Sequence, residues 1–529
     1  MIFLQRLMST LAPDRFFMVC ALLFGLIFIV ITPPFQTPDE INHFYRSYQV
    51  SEGTFIAVSK DHRVGGELPA SLVSCSKPFC FLRRKEYTTT SWSTIIEQVN
   101  ISLNKKEIIF IDFPNTGMYS FVSYMPQAIG IFIFRSLDLP PIFIFYGGRL
   151  SALLFWVFSM VWAIRLLPFY KWLFTLLALL PMSVATNMSL SADVMTNVLA
   201  FLVIAYSLHL AYSRPLVSGK QMTIFSVLGV LLALAKVVYL PLILLILLVP
   251  QNKFRSKSSY YGQLLTVFVI SGVTALCWSA IMKSLYVPSK LYNPVAMADP
   301  MLLWTSIVPC ASMTDQMQFI LSQDWWYVPY VFVHSLKVAF EMYSQSYIGT
   351  FGWLDTYLPV WFICVGYLVI FLVAFWDGKE EKTGRGFKPL LLVSFSMALA
   401  LILFSQLLTW VCVGEESIDI IQGRYLIPIF PLLFMLLHNT KWTRAKQATY
   451  IVVIFSLLSL SYSSYVIFER YFVKDEVEAI ITLSCNAEEV VDISFLTDTA
   501  TVLLDNANTK SNEQSRSGKY SAKISLKNI

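Results

Sequence analysis

Charge is scarce in this chain. Asp, Glu, Lys and Arg supply 14% of its 529 residues against 56% hydrophobic, and with a mean hydropathy of +0.62 this excludes an ordinary soluble protein. The net charge of +6 is modest, and much of it sits in short loops between apolar runs, which excludes a nucleic-acid footprint. No internal repeat or low-complexity segment stands out. The alternating pattern of barrel strands is missing as well, so the apolar runs of about 20 residues read as the helices of an all-α integral membrane protein. The run from Phe16 to Ile31 follows Arg6 and Arg15 as a signal peptide would, but ends in Thr-Pro-Pro-Phe with no small-residue cleavage site. It reads as an uncleaved first span.

Short loops rich in Lys and Arg belong on the cytoplasmic side. The segments Arg165 to Lys171, Arg214 to Lys220, Lys253 to Lys257, Lys379 to Lys388 and Lys441 to Lys446 qualify. With a cytoplasmic N-terminus, one threading satisfies them all. It predicts spans near 16-33, 143-164, 172-189, 194-212, 222-234, 237-249, 261-282, 358-376, 389-412, 425-438 and 448-467, a bundle of about eleven crossings. The runs 222-234 and 237-249 are read as a hairpin with Lys236 at its outer tip; one long tilted helix is the rival. The expected domain is 1-468, with a large extracytoplasmic first loop at 34-142 and a second outer segment at 283-357. The apolar stretches Tyr119 to Phe134 and Val328 to Tyr343 cannot cross without inverting later loops, so both are expected to be interfacial or re-entrant helices on the outer face. Trp325, Trp326, Tyr327 and Tyr330 read as an interface belt, with His334 beside them. Residues 469-529 form an extracytoplasmic tail whose alternating runs at 500-504 and 520-526 read as strands of a small, incomplete β-sandwich.

Cys20, Cys277, Cys364 and Cys412 lie in apolar runs and read as small core residues. Cys75 and Cys80 flank Pro78 in the first loop, where an oxidising compartment would allow a short disulfide.

The chemistry concentrates where the first span ends, in Pro34-Phe35-Gln36-Thr37-Pro38-Asp39-Glu40-Ile41-Asn42-His43-Phe44-Tyr45-Arg46. Adjacent carboxylates at the mouth of a bundle can act as a general base or as metal ligands; the plainer reading is that they start a helix, since acids belong in a first turn. His43 lies three residues beyond Glu40, on one face of such a helix. One His beside two acids makes a thin metal site, so a hydrogen bond to substrate or to a neighbour is the better role.

This segment resembles a bacterial family of predicted membrane proteins catalogued as a domain of unknown function, which is similar in turn to the GT-C glycosyltransferases that use polyprenyl-phosphate-linked sugars. Further matches are Asn115-Thr116-Gly117-Met118-Tyr119, Gly148-Arg149-Leu150, Ser189-Leu190-Ser191-Ala192-Asp193, Ala235-Lys236-Val237-Val238-Tyr239, Gly349-Thr350-Phe351-Gly352-Trp353-Leu354-Asp355 and Gln422-Gly423-Arg424-Tyr425. The resemblance implies a GT-C-like bundle in the bacterial cytoplasmic (inner) membrane. Its partners would be a polyprenyl-phosphate-linked sugar and a glycan or lipid-linked acceptor, and a divalent metal is allowed but not required. It implies catalytic roles for Asp39 and Glu40, and substrate-binding roles for His43, Arg149, Asp193, Lys236 and Arg424. Without it, Arg149, Lys236 and Arg424 read equally as anchors at a membrane boundary, and Asp193 as a helix cap. A flippase for lipid-linked saccharides would need charge near the bilayer midplane or repeated halves, neither of which is evident; a polysaccharide polymerase would suit the large outer loops equally well.

Overall fold

The computed structural model describes residues 11–85, 88–293, 307–378 and 383–473. The chain is mostly helical. Helix α1 (Pro13–Ile31) ends where Pro33 and Pro34 forbid further turns. The first loop then supplies α2 (Glu40–Ser51), an antiparallel sheet of β1 (Val58–Lys60), β2 (Arg63–Pro69) and β3 (Ile108–Asp112) in that order, and α3 (Met125–Ser136). Every residue of α2 is buried, the polar ones included. Next come α4 (Pro141–Leu166), α5 (Lys171–Ala178), α6 (Pro181–Asn187), α7 (Asp193–Leu208), α8 (Gly219–Ala235), a 3-10 helix (Val237–Leu248) and α9 (Lys257–Leu285). Helices α10 (Met313–Ser322), α11 (Tyr327–Val338) and α12 (Phe340–Gly349) lead to a hairpin of β4 (Thr350–Phe351) and β5 (Thr356–Tyr357). The chain closes with α13 (Val360–Trp376), α14 (Phe387–Thr409), α15 (Phe430–Met435) and α16 (Ala445–Phe468). Helix α7 is buried on all sides, as expected of the central helix of a bundle.

Among the described residues six helices are long and apolar enough to cross a membrane, beginning at Pro13, Pro141, Asp193, Lys257, Phe387 and Ala445. Helices α8 and α13 and the 3-10 helix are apolar but shorter. Two expected spans are not single helices. The run 172-189 divides at Pro181, because a residue before proline is driven out of the α region; Leu180 accordingly lies at φ −57°, ψ 140°. The run 425-438 contains Pro428 and Pro431 and shrinks to a 3-10 turn (Gly423–Leu426) followed by the six residues of α15. The stretches 119-134 and 328-343 are likewise cut short, into α3 and into α11 with α12.

The hairpin at Lys236 is present. Lys236 is extended (φ −164°, ψ 105°), which stops α8. The two arms return to one end: Val217 N–H donates to the Lys253 carbonyl at 2.8 Å, and Lys253 Nζ donates to the carbonyls of Leu210, Ala211 and Arg214. The arms match in length because a 3-10 helix rises about 2.0 Å per residue and an α-helix about 1.5 Å. Twelve residues therefore reach nearly as far as the seventeen of α8.

The basic loops gather at one end of the bundle. Arg165 pairs with Asp14, Asp377 accepts from Leu173 N–H, Arg444 N–H donates to the Trp376 carbonyl, and Phe169, Tyr212, Phe387 and His438 form one aromatic cluster. The cysteine expectations need correction. Cys75 and Cys80 are not disulfide-bonded and lie on continuous helical turns, and Cys80 Sγ donates to the Ser76 carbonyl. Cys277 and Cys364 are exposed on their helices rather than buried in the core, and Cys412 is disulfide-bonded to Cys310 at the end of the bundle opposite the basic loops. The strands expected at 500-504 and 520-526 lie outside the described residues; residues 469-473 continue α16 as a π-helical turn.

Candidate functional site

Between α1 and α2 the chain turns under three prolines. Phe35 (φ 65°) and Asp39 (φ 62°) both occupy the left-handed region, which Asp tolerates better than most residues. Asp39 stands at the N-cap position of α2 but makes no capping bond. Its carboxylate instead accepts from Asn115 Nδ2 at 3.3 Å and faces Arg424 Nη2 at 3.4 Å. The Asp39 side chain keeps 24% of its surface exposed, whereas that of Arg424 keeps 5%. Burial raises the Asp39 pKa above the ordinary carboxylate value, with Arg424 opposing the shift. A raised pKa makes this carboxylate a stronger base than a free one.

Arg424 is positioned by the glycine before it. A Cβ on Gly423 would sit 2.0 Å from the backbone nitrogen of Tyr347, so only glycine allows this approach to α12. The Gly423 N–H donates to Ser346 Oγ at 2.7 Å. On its far side Arg424 Nε lies 3.7 Å from Asp193 Oδ2, and Asp193 Oδ1 accepts from Lys236 Nζ at 3.1 Å. Asp193 opens α7 without capping it. The Lys236 ammonium is further enclosed by the rings of Tyr425, Tyr119 and Tyr239 at 4.8, 5.7 and 5.9 Å. Residues 39, 193, 236 and 424 thus converge into a row of alternating charge, Asp39, Arg424, Asp193, Lys236.

Lys236 opens onto a cavity of about 500 Å³, within the ~300–1,000 Å³ usual for small-molecule sites. Asn115, Tyr119, Tyr239 and Tyr425 line its polar end, and its walls are the C-terminal turns of α9 and α14, including Trp278, Met282, Ile402 and Leu408. Both of those helices are candidate spans whose outer faces are mostly exposed.

Two expected site residues belong to a different arrangement. Glu40 and Arg149 form a fully buried bidentate pair, Nε to Oε1 at 2.9 Å and Nη2 to Oε2 at 2.6 Å. Glu40 Oε1 also accepts from Leu190 N–H, and Arg149 donates to the carbonyls of Ile29, Thr32 and Pro33. In this structure Glu40 is tied to Arg149 rather than sharing the charge row with Asp39. His43 Nδ1 is hydrogen-bonded to the Tyr124 hydroxyl at 2.9 Å. Burial first, then Arg424 and Lys236, push its pKa down to about 3 against the pull of Asp193. The ring is therefore neutral at physiological pH. Among the described residues no group of three or more His, Cys, Asp or Glu is placed to hold a metal ion.

Asn115, Tyr119, Tyr239 and Tyr425 were missed as site residues, although each lies in a stretch already singled out by its pattern. What was lacking was a reason to weigh an amide or a phenol against the charged residue beside it.

Removing one partner of a buried ion pair typically costs about 3–5 kcal/mol because the other charge is left unpaired. Glu40→Ala and Arg149→Ala should each destabilise the protein by that order in thermal or denaturant unfolding of the detergent-solubilised chain. Asp39→Asn, on a partly exposed group, should leave stability near wild type; equal losses in all three would remove the distinction. For His43, the unfolded chain binds a proton below about 6.5 while the folded chain refuses it until about 3. Stability should therefore fall as pH drops through that window, by up to about 1.4 kcal/mol per pH unit. His43→Gln should flatten that slope in melting curves at pH 7 and 5, and an unchanged slope would contradict the assignment.

The family profile described as "Predicted membrane protein (DUF2142)" matches residues 22–433. The chain belongs to this family of membrane proteins. No curated protein and no solved structure matches it.

Proposed function

We propose that this DUF2142 member is a membrane glycosyltransferase that moves a sugar from a polyprenyl-phosphate carrier to a cell-surface glycan or lipid-linked precursor on the extracytoplasmic face. The observation that carries the reading is the row Asp39, Arg424, Asp193, Lys236 beside an apolar cavity walled by two candidate spans. The donor phosphate is drawn to Lys236 and Arg424 and its prenyl chain lies between α9 and α14. Arg424 lies 3.4 and 3.7 Å from its two acids, longer than a close charge-assisted pair, so an incoming phosphate can take its guanidinium in a shorter one. That exchange releases Asp39. Asp39 then removes the proton from an acceptor hydroxyl as the acceptor oxygen bonds to the anomeric carbon. The bond from that carbon to the phosphate oxygen breaks, and its electron pair leaves with the polyprenyl phosphate. The leaving group is already an anion, so the two cations supply the stabilisation that a general acid would otherwise give.

The orientation follows from charge and redox chemistry. The basic loops share one end of the bundle, which we take as cytoplasmic, together with the N-terminus. The site and the Cys310–Cys412 disulfide lie at the other end, and a disulfide favours an oxidising, extracytoplasmic compartment. The finer topology we infer is a bundle of about eleven membrane segments, several of them broken by proline, in the bacterial inner membrane, with an extracytoplasmic C-terminus. The exposed aromatics Trp325, Trp326 and Tyr330 suit an outer interface.

Asp39→Asn, checked for expression and membrane insertion, should reduce sugar transfer by about a hundredfold or more. The surface glycan of cells carrying it should match that of cells lacking the gene, missing one sugar. A complete, unchanged glycan would refute the transferase and favour transport of a lipid-linked saccharide.

A further inference from the structure

A second opening lies beyond the Asp39 turn from the apolar cavity. It is a cleft of about 720 Å³ bordered by α12 and the β4–β5 hairpin, and its character is different. Glu341, Gln345, Arg84 and Tyr357 offer it a carboxylate, an amide, a guanidinium and a ring that is 55% exposed. The walls between this cleft and the charge row are shared. Thr350 borders both the cleft and a small pocket formed with Thr37, Pro38 and Arg424. Its hydroxyl is buried and makes no hydrogen bond in the structure. Ser346, another lining residue, accepts from the Gly423 N–H beside Arg424. Arg84 is near enough to act electrostatically on the Asp39 carboxylate, lowering its pKa.

The hairpin that frames the cleft is held under strain. Gly352 and Leu354 both have left-handed backbones, at φ 63° and 64°. For Leu this is a costly conformation that persists only where its surroundings over-determine it. Those surroundings are visible. Trp353 Nε1 donates to the Phe35 carbonyl at 3.1 Å, tying the hairpin to the Asp39 turn. Arg470 pairs with Asp355 and donates to the carbonyls of Leu82, Lys85 and Thr88, fixing the segment that carries Arg84.

Resting on the transferase reading, we infer that this cleft binds the acceptor, a hydroxyl-rich saccharide, and delivers its nucleophilic hydroxyl to Asp39 from the side opposite the lipid donor. A saccharide offers many donors and acceptors with an apolar C–H face, which suits amide, carboxylate and guanidinium groups around one phenol ring. The apolar part of the cleft, Val338, Met342, Trp353 and Leu354, is smaller than the wall that α9 and α14 offer a prenyl chain. Asp39 then stands between two ligands of opposite character: one reaches it past Asn115 and Lys236, the other past Arg84 and Thr350. The hydroxyl proton passes to Asp39 and the hydroxyl oxygen takes the anomeric carbon as the phosphate oxygen departs.

The test uses the full chain in lipid nanodiscs and three probes: polyprenyl phosphate, soluble oligosaccharides released from the surface glycan of gene-deleted cells, and the lipid-linked precursor extracted from those cells. The double variant Glu341→Gln with Tyr357→Ala should weaken saccharide binding by about tenfold or more, as loss of a buried contact pair does, and leave polyprenyl phosphate binding unchanged. Tyr357→Phe, which keeps the ring, should retain most of the affinity. Gln345→Trp, which fills the cleft, should reproduce the loss if the double variant fails to fold. Weakened binding of the soluble oligosaccharide identifies a free glycan acceptor; weakened binding of the lipid-linked form alone identifies a lipid-borne one. If both saccharides bind the variants as tightly as wild type, or neither binds a wild-type chain that does take polyprenyl phosphate, the cleft assignment is wrong while the donor site stands. If polyprenyl phosphate does not bind wild type either, the transferase reading falls with it.

Discussion

Arg149 holds Glu40 in a dry bidentate pair and uses its remaining N–H groups on the carbonyls of Ile29, Thr32 and Pro33. The Ile29 carbonyl would pair with the N–H of residue 33, which proline lacks, so one guanidinium both ends the first span and starts α2. The geometry of the Asp39 turn depends on this clamp. With Glu40 fixed inward on α4, the preceding residue is carried into a left-handed conformation that leaves its carboxylate free of any capping duty. Gln36, donating to the Phe79 carbonyl, and Trp353, donating to Phe35, secure the rest of the turn.

The same economy governs the charge row. Isolated charges this deep would be costly, and each here is neutralised by a neighbour of opposite sign. The arrangement is nevertheless uneven. Lys236 has a close carboxylate and three aromatic rings, while Arg424 has the Tyr425 ring alone and bridges two acids at longer distances. In the proposed reaction Arg424 is therefore the group that changes partner, and Lys236 the fixed point against which the donor phosphate is registered.

Much of this was legible from the residues. Composition and the run lengths indicated a helical membrane protein, and the basic flanks at Lys220 and Lys253 to Lys257 indicated a hairpin with Lys236 at its tip. Asp39, Asp193, Lys236 and Arg424 were singled out by the family resemblance, and the threading had put the ends of the apolar runs that carry them on one side. Pairing was not legible. Adjacent Asp39 and Glu40 look alike in sequence, and only the three-dimensional position of Arg149 separates a clamped acid from a partly exposed one. The bond between Cys310 and Cys412 was hidden because Cys412 follows an apolar helix and its partner lies 102 residues away. The breaks at Pro181 and around Pro428 and Pro431 could have been read from the proline rule, but run length outweighed it.

The account stands on one placement: the phosphate of a lipid-linked donor between Lys236 and Arg424, with Asp39 released. An experimental structure of the full chain in nanodiscs with bound polyprenyl phosphate tests it directly. It should show the phosphate in contact with both cations, the prenyl chain between α9 and α14, and Arg424 withdrawn from Asp39. A phosphate bound elsewhere, or one that leaves the row from Asp39 to Lys236 undisturbed, would contradict it.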